Sequence, residues 1–130
     1  MRVFVYFNLH RKLWSVKALS GENKGRVIGH YRFVEVSSPR LKVSEAGRQR
    51  VLREGRKNVH AGVEGVLLTC DPQSASAPPD YPMHRVTYNP RKYATFVRAD
   101  DASPAQHAVF VRMFAPIGNA PSVQAWGINQ

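Results

Sequence analysis

The stretch Arg2-Val3-Phe4-Val5-Tyr6-Phe7-Asn8-Leu9-His10-Arg11-Lys12-Leu13-Trp14-Ser15-Val16-Lys17-Ala18 decides the fold. Residues 2–8 are aromatic and β-branched, the composition of a strand buried on both faces. Trp14, Val16 and Ala18 then alternate with Ser15 and Lys17, the period of two expected of a half-buried strand. Between them, Asn8–Lys12 is short and polar and reads as a hairpin turn. Residues 20–25, Ser-Gly-Glu-Asn-Lys-Gly, supply a second reversal into Arg26–Val36, again rich in Val, Ile, Tyr and Phe. Three antiparallel strands are the economical reading.

Near residue 44 the period changes. Ser44 is a good N-cap, Glu45 places an anion in the first turn, and Gly55 falls where a left-handed C-terminal cap is wanted. These signals predict a helix over Glu45–Glu54, with Val51 and Leu52 facing the sheet, Arg50 and Arg53 facing away, and Glu54 as the intrahelical partner of Arg50. Gly47 weakens that helix by about 1 kcal/mol relative to alanine.

Beyond the helix, Val59–Thr69 reads as a strand in which Gly62 and Gly65 mark a bulge or a close backbone approach. The Pro-rich segment 71–82 reads as an exposed loop, an ornament rather than a domain boundary. His84–Tyr88, Ala94–Arg98 and Ala108–Phe114 read as further strands, and 116–130 as an irregular tail that Trp126 docks to the body. The expected architecture is α+β: residues 1–115 form a single domain, a curved, mostly antiparallel β-sheet with one short basic helix.

The chain has 130 residues, 43% hydrophobic, enough for one core and too few for two. Its formal charge is +10, from 19 Lys+Arg against 9 Asp+Glu, and residues 1–66 hold 14 of the cations with 5 of the acids. A surplus segregated in this way suggests a basic face and a polyanionic partner, nucleic acid or an acidic host protein complex. One cysteine, Cys70, cannot form an intramolecular disulfide, which fits a reducing compartment. No apolar run approaches the roughly 20 residues that span a bilayer, and the N-terminus is too polar for a signal peptide.

The densest basic run is Arg40–Lys57, with Arg48, Arg50, Arg53, Arg56 and Lys57 offered to phosphates. A solvated helix face competes with that reading. The tip His10-Arg11-Lys12 beside Trp14 combines charge with a stacking ring, and Asn89-Pro90-Arg91-Lys92 would project two more cations from a turn. The same inventory contains the parts of a metal-independent ribonuclease: His10 and His60 as acid and base, Tyr88 as a proton donor, and Arg or Lys to stabilise the phosphorane. Cofactors and metals are not expected. The five histidines lack zinc spacing, no GK[ST] phosphate loop or Gly-x-Ser-x-Gly elbow is present, and no carboxylate pair sits in an apolar context.

The blocks Val5–Ser15, Val43–Val51, Lys57–Ala61 and Tyr88-Asn89-Pro90 with Phe96-Val97 together resemble a group of short, basic, uncharacterised proteins encoded by tailed bacteriophages, over roughly residues 3–98. The resemblance implies a viral protein working in the host bacterial cytoplasm. It brings no activity that can be assigned residue by residue. The leading expectation is therefore a non-enzymatic phage protein that binds RNA, or a host nucleoprotein complex, through its Arg/Lys-rich face. The alternatives are the ribonuclease, and an inhibitor of a host defence or transcription complex that acts by protein–protein binding.

Overall fold

Alternating apolar residues build a sheet here because one face of almost every strand is buried. In the computed structural model, which describes residues 1–55, 59–71, 76–116, 118 and 120–130, the chain runs β1 (Arg2–Asn8), β2 (Leu13–Ala18), β3 (Val27–Tyr31), β4 (Phe33–Val43), α1 (Glu45–Glu54), β5 (Ala61–Cys70), β6 (Met83–Thr87), β7 (Val97–Arg98), β8 (Phe110–Phe114) and β9 (Ser122–Trp126). The strands form one sheet in the order β3-β2-β1-β5-β4-β8-β9-β6-β7. Each neighbouring pair is antiparallel, and the sheet does not close into a barrel. The architecture is thus a mostly antiparallel sheet with one short helix.

Register places the core. Val34, Met113 and Val123 lie side by side across β4, β8 and β9, as do Val36, Val111 and Ala125, and all six are buried. Each buried valine contributes about 2 kcal/mol from area alone. The same cluster takes in Val3, Val5, Trp14, Val16 and Val63 from the other half of the sheet.

On the opposite face Glu35 stands across from Arg112. Arg112 Nε donates to Glu35 Oε2 at 2.6 Å, although Glu35 is fully buried. The Ser76 N–H donates to Glu35 Oε1 at 2.9 Å, and Arg112 also donates to the Ser76 carbonyl. The guanidinium lies 5.4 Å from the Phe110 ring centre and 5.3 Å from that of Trp126. A buried carboxylate is tolerable only with such partners. The described part of the 71–82 loop, largely exposed, is therefore tied to the sheet at Ser76; residues 72–75 lie outside the described residues.

The helix spans the residues its caps predict. Ser44 Oγ accepts from the Gly47 N–H at 3.3 Å, and Gly55 adopts φ 68° with its N–H donating to the Val51 carbonyl. Val51 is buried, whereas Leu52 is exposed, because the buried stripe runs through Gly47 and Val51 and leaves Leu52 beside it. No ion pair joins Arg50 to Glu54 among the described residues.

The structure departs from the sequence expectations at several strands. β1 alternates, with Val3 and Val5 buried and Phe4 and Tyr6 half-buried, so it is not enclosed on both faces. Arg26–Val36 is broken at Arg32: its first part forms an edge strand and its second enters the middle of the sheet. The segment read as Ala94–Arg98 is a strand only at Val97–Arg98. The largest correction concerns 116–130, expected to be irregular. Residues 122–126 form β9, an interior strand between β8 and β6, with Val123 and Ala125 turned to the core.

Candidate nucleic-acid interface

Three polar connections hold the cations that the sequence singled out. In the β1–β2 turn, Asn8 Oδ1 accepts from the backbone N–H groups of His10 and Arg11 at 3.1 and 3.0 Å, and the Asn8 carbonyl accepts from Lys12 at 2.7 Å. Asparagine closes the turn with its own side chain, leaving His10, Arg11 and Lys12 exposed. Asn89 repeats the device. Its Oδ1 accepts from the Arg91 N–H at 2.9 Å and its carbonyl from Lys92 and Tyr93, leaving Arg91 and Lys92 exposed. On α1, Arg50 and Arg53 share the outward side.

Arg48 has a different task. Its Nε donates to the carbonyls of Pro90 and Tyr93 at 3.1 and 3.0 Å, and its Nη1 to Glu45 Oε1 at 3.2 Å. The guanidinium, expected to meet phosphate, instead fastens the 89–93 turn to the helix. Arg50, Arg53, Arg91 and Lys92 make no side-chain hydrogen bond or ion pair among the described residues. Arg56 and Lys57, proposed from sequence as part of the same face, lie outside the described residues.

These three segments border one cavity of about 410 Å³, with Leu9, Val51 and Pro90 each contributing to its wall. Inside it, His60 Nε2 and the Tyr88 hydroxyl are hydrogen-bonded at 2.8 Å, with the rings edge to face at 5.5 Å. Tyr88 also packs on Phe96 at 5.3 Å. Burial pushes the Tyr88 phenol above its usual pKa, the nearby Arg48 pulls it down and Glu45 pushes it up. Phe7 and Trp14, which also line the cavity, meet edge to face at 5.4 Å.

The structure therefore brings His60 and Tyr88 together, two of the three residues expected for acid–base work. His10 is not part of this wall. Among the described residues no group of three or more His, Cys, Asp or Glu side chains could hold a metal ion. The cavity itself was not foreseen, since its ring-bearing walls come from β1, β2, the residue before β5 and the segment after β6, and no sequence spacing links them.

Together these features define a class: a mostly antiparallel β protein with one short helix among its described residues, whose cation-bearing turns and helix border an apolar pocket. Residues 1–117 match the family described as Mycobacterium phage L5 gene 82 protein, and the chain belongs to that family. It is 44% identical over 110 residues to the Gene 82 protein of Mycobacterium phage L5, covering 80% of this chain and 82% of that protein. The resemblance to phage proteins seen in the sequence blocks is thus met, over a longer span than 3–98. No solved structure matches the chain. No helix among the described residues is long and apolar enough to cross a membrane.

Proposed function

We propose that this phage protein is a non-enzymatic RNA-binding protein of the host bacterial cytoplasm, engaging its target through the cationic rim of the cavity. One observation carries this. The 8–12 turn, α1 and the 89–93 turn are far apart in sequence, yet Leu9, Val51 and Pro90 wall the same cavity, so the three elements that carry Arg11, Lys12, Arg50, Arg53, Arg91 and Lys92 all border it. The formal +10 charge supports a polyanionic partner. A strongly curved sheet fits the same picture. Residues 27–43 run with a single break at Arg32 from the edge strand β3 to the central strand β4, and Trp14 and Val86, from opposite halves of the strand order, share one cavity wall.

The test is fluorescence anisotropy with a mixed-sequence single-stranded RNA across a salt series. Affinity is expected to fall steeply, with a log–log slope of about −0.7 per phosphate neutralised. The combined variant R50A/R53A/R91A/K92A should flatten that slope by about two units or more. Binding that ignores salt, or a slope unchanged in the variant, overturns the proposal. The hydrogen-bonded His60–Tyr88 pair favours a second reading, a metal-independent ribonuclease. Labelled RNA cleaved in EDTA, with the cleavage lost in H60A, would establish it; intact RNA after long incubation excludes it.

A further inference from the structure

Trp14 is 5% exposed, and its Nε1–H is a buried donor with no hydrogen-bond partner among the described residues. Buried donors are almost always paired, so one left over on a residue that lines a cavity calls for an explanation. The indole cannot be relieved by its packing neighbour, since Phe7 offers only a ring. Elsewhere in the lining, His60 Nε2 and the Tyr88 hydroxyl are bonded to each other. A flat ligand carrying an acceptor would answer that donor.

Its chemistry narrows the choice. An aliphatic ligand would satisfy the apolar walls and leave the indole N–H unpaired. A charged headgroup would be desolvated among Phe7, Val63, Val86 and Phe96. A heteroaromatic ring fits both demands, because aromatic side chains pack on its faces and the indole N–H can donate to an acceptor on its edge. About 410 Å³ lies within the range of roughly 300–1,000 Å³ typical of small-ligand sites. The rim adds the last constraint, since Arg11, Lys12, Arg91 and Lys92 stand on the two turns that supply Leu9 and Pro90 to the wall. A nucleotide, with a ring at one end and an anion at the other, meets all of these constraints.

We propose that this cavity is a nucleobase pocket, taking an unpaired base whose ring acceptor meets the Trp14 N–H while the attached phosphate lies against the basic rim. The base can belong to a single strand or to a free nucleotide. The pocket rests on the nucleic-acid role of the rim and refines it: a base inside a duplex cannot enter, so the protein prefers single strands.

The indole 1H–15N resonance of Trp14 in the intact wild-type protein is the direct probe. It is followed on titration with the RNA U12, the DNA dT12, uridine monophosphate and a 12-base-pair RNA duplex. The Trp14 signal is expected to move downfield with U12 and dT12 and to stay in place with the duplex, while the Trp126 signal stays in place throughout. Movement with uridine monophosphate to the same end point assigns the pocket to free nucleotides as well as strands; movement with the strands alone assigns it to strands. W14F keeps a ring beside Phe7 but removes the donor, and should weaken U12 binding by about tenfold with duplex affinity unchanged. A Trp14 resonance that stays still at saturating U12 and uridine monophosphate, or shifts equally with the duplex, overturns the pocket. If the backbone amides of residues 50–53 and 91–92 still move in that case, only the pocket falls. If they too are silent, the rim falls with it.

Discussion

Gly47 sits where α1 crosses the start of β5, and no side chain fits there. A Cβ at this position would lie 2.5 Å from the His60 Cβ. The helix propensity that argues for alanine, about 1 kcal/mol, is set against a steric overlap of typically 1–3 kcal/mol. G47A is expected to destabilise the protein in urea unfolding, and also to weaken the His60–Tyr88 contact by pushing His60 off its seat. Glu35 offers a second single-residue test. E35A strands Arg112 beside an apolar patch and should cost about 3 kcal/mol, whereas E35A/R112L should cost less than the sum of the two single changes, as a double-mutant cycle would show. Asp100 gives a pH test. Its carboxyl is held down at about 2, first by hydrogen bonding to the Arg98 guanidinium and then by its charge. A depressed carboxylate stabilises the fold fully above the ordinary Asp range, and that stability is lost as pH falls through about 2. In R98A the Asp100 titration followed by carboxyl 13C NMR should return toward an ordinary aspartate.

At the level of elements, Arg48 couples the helix to the 89–93 turn through two carbonyls that converge on one Nε–H. R48K supplies a charge but not that N–H geometry, so hydrogen exchange at 91–93 is expected to accelerate in R48K nearly as much as in R48A. This explains why the candidate site was only half legible. Charge density pointed to 40–57, and Arg50 and Arg53 do face outward, but no pattern in the sequence reveals that the arginine between Gly47 and Gln49 is spent on backbone carbonyls more than forty residues away. The helix was legible to its ends because Ser44 and Gly55 act locally. The strand 122–126 was not, since Gly118, Pro121 and Gly127 crowd so short an alternation that they read as irregular chain when they only bound it. Nor could the pairing of His60 with Tyr88 be read, because it depends on β5 and β6 being placed by strands that lie between them in the sheet.

On the scale of the whole molecule, residues 118–130 fall outside the stretch that matches the gene 82 protein family, yet β9 among them joins β6 and β7 to the rest of the sheet. The central strand β4 likewise depends on distant partners: Glu35 and Arg112, bonded across β4 and β8, are 77 positions apart. Closing loops of that length costs entropy before any contact rewards it. Refolding from denaturant is therefore expected in about milliseconds to seconds, as stopped-flow fluorescence would read it, slower than a helical domain of the same size. During synthesis, β1 to β5 can pair as soon as residue 70 has emerged, but one edge of β4 stays an open ladder until residues 110–114 follow. For that interval the nascent chain displays a β-branched edge able to pair with a second copy, so its yield in the cell depends on how quickly the stretch of message encoding residues 71–114 is read.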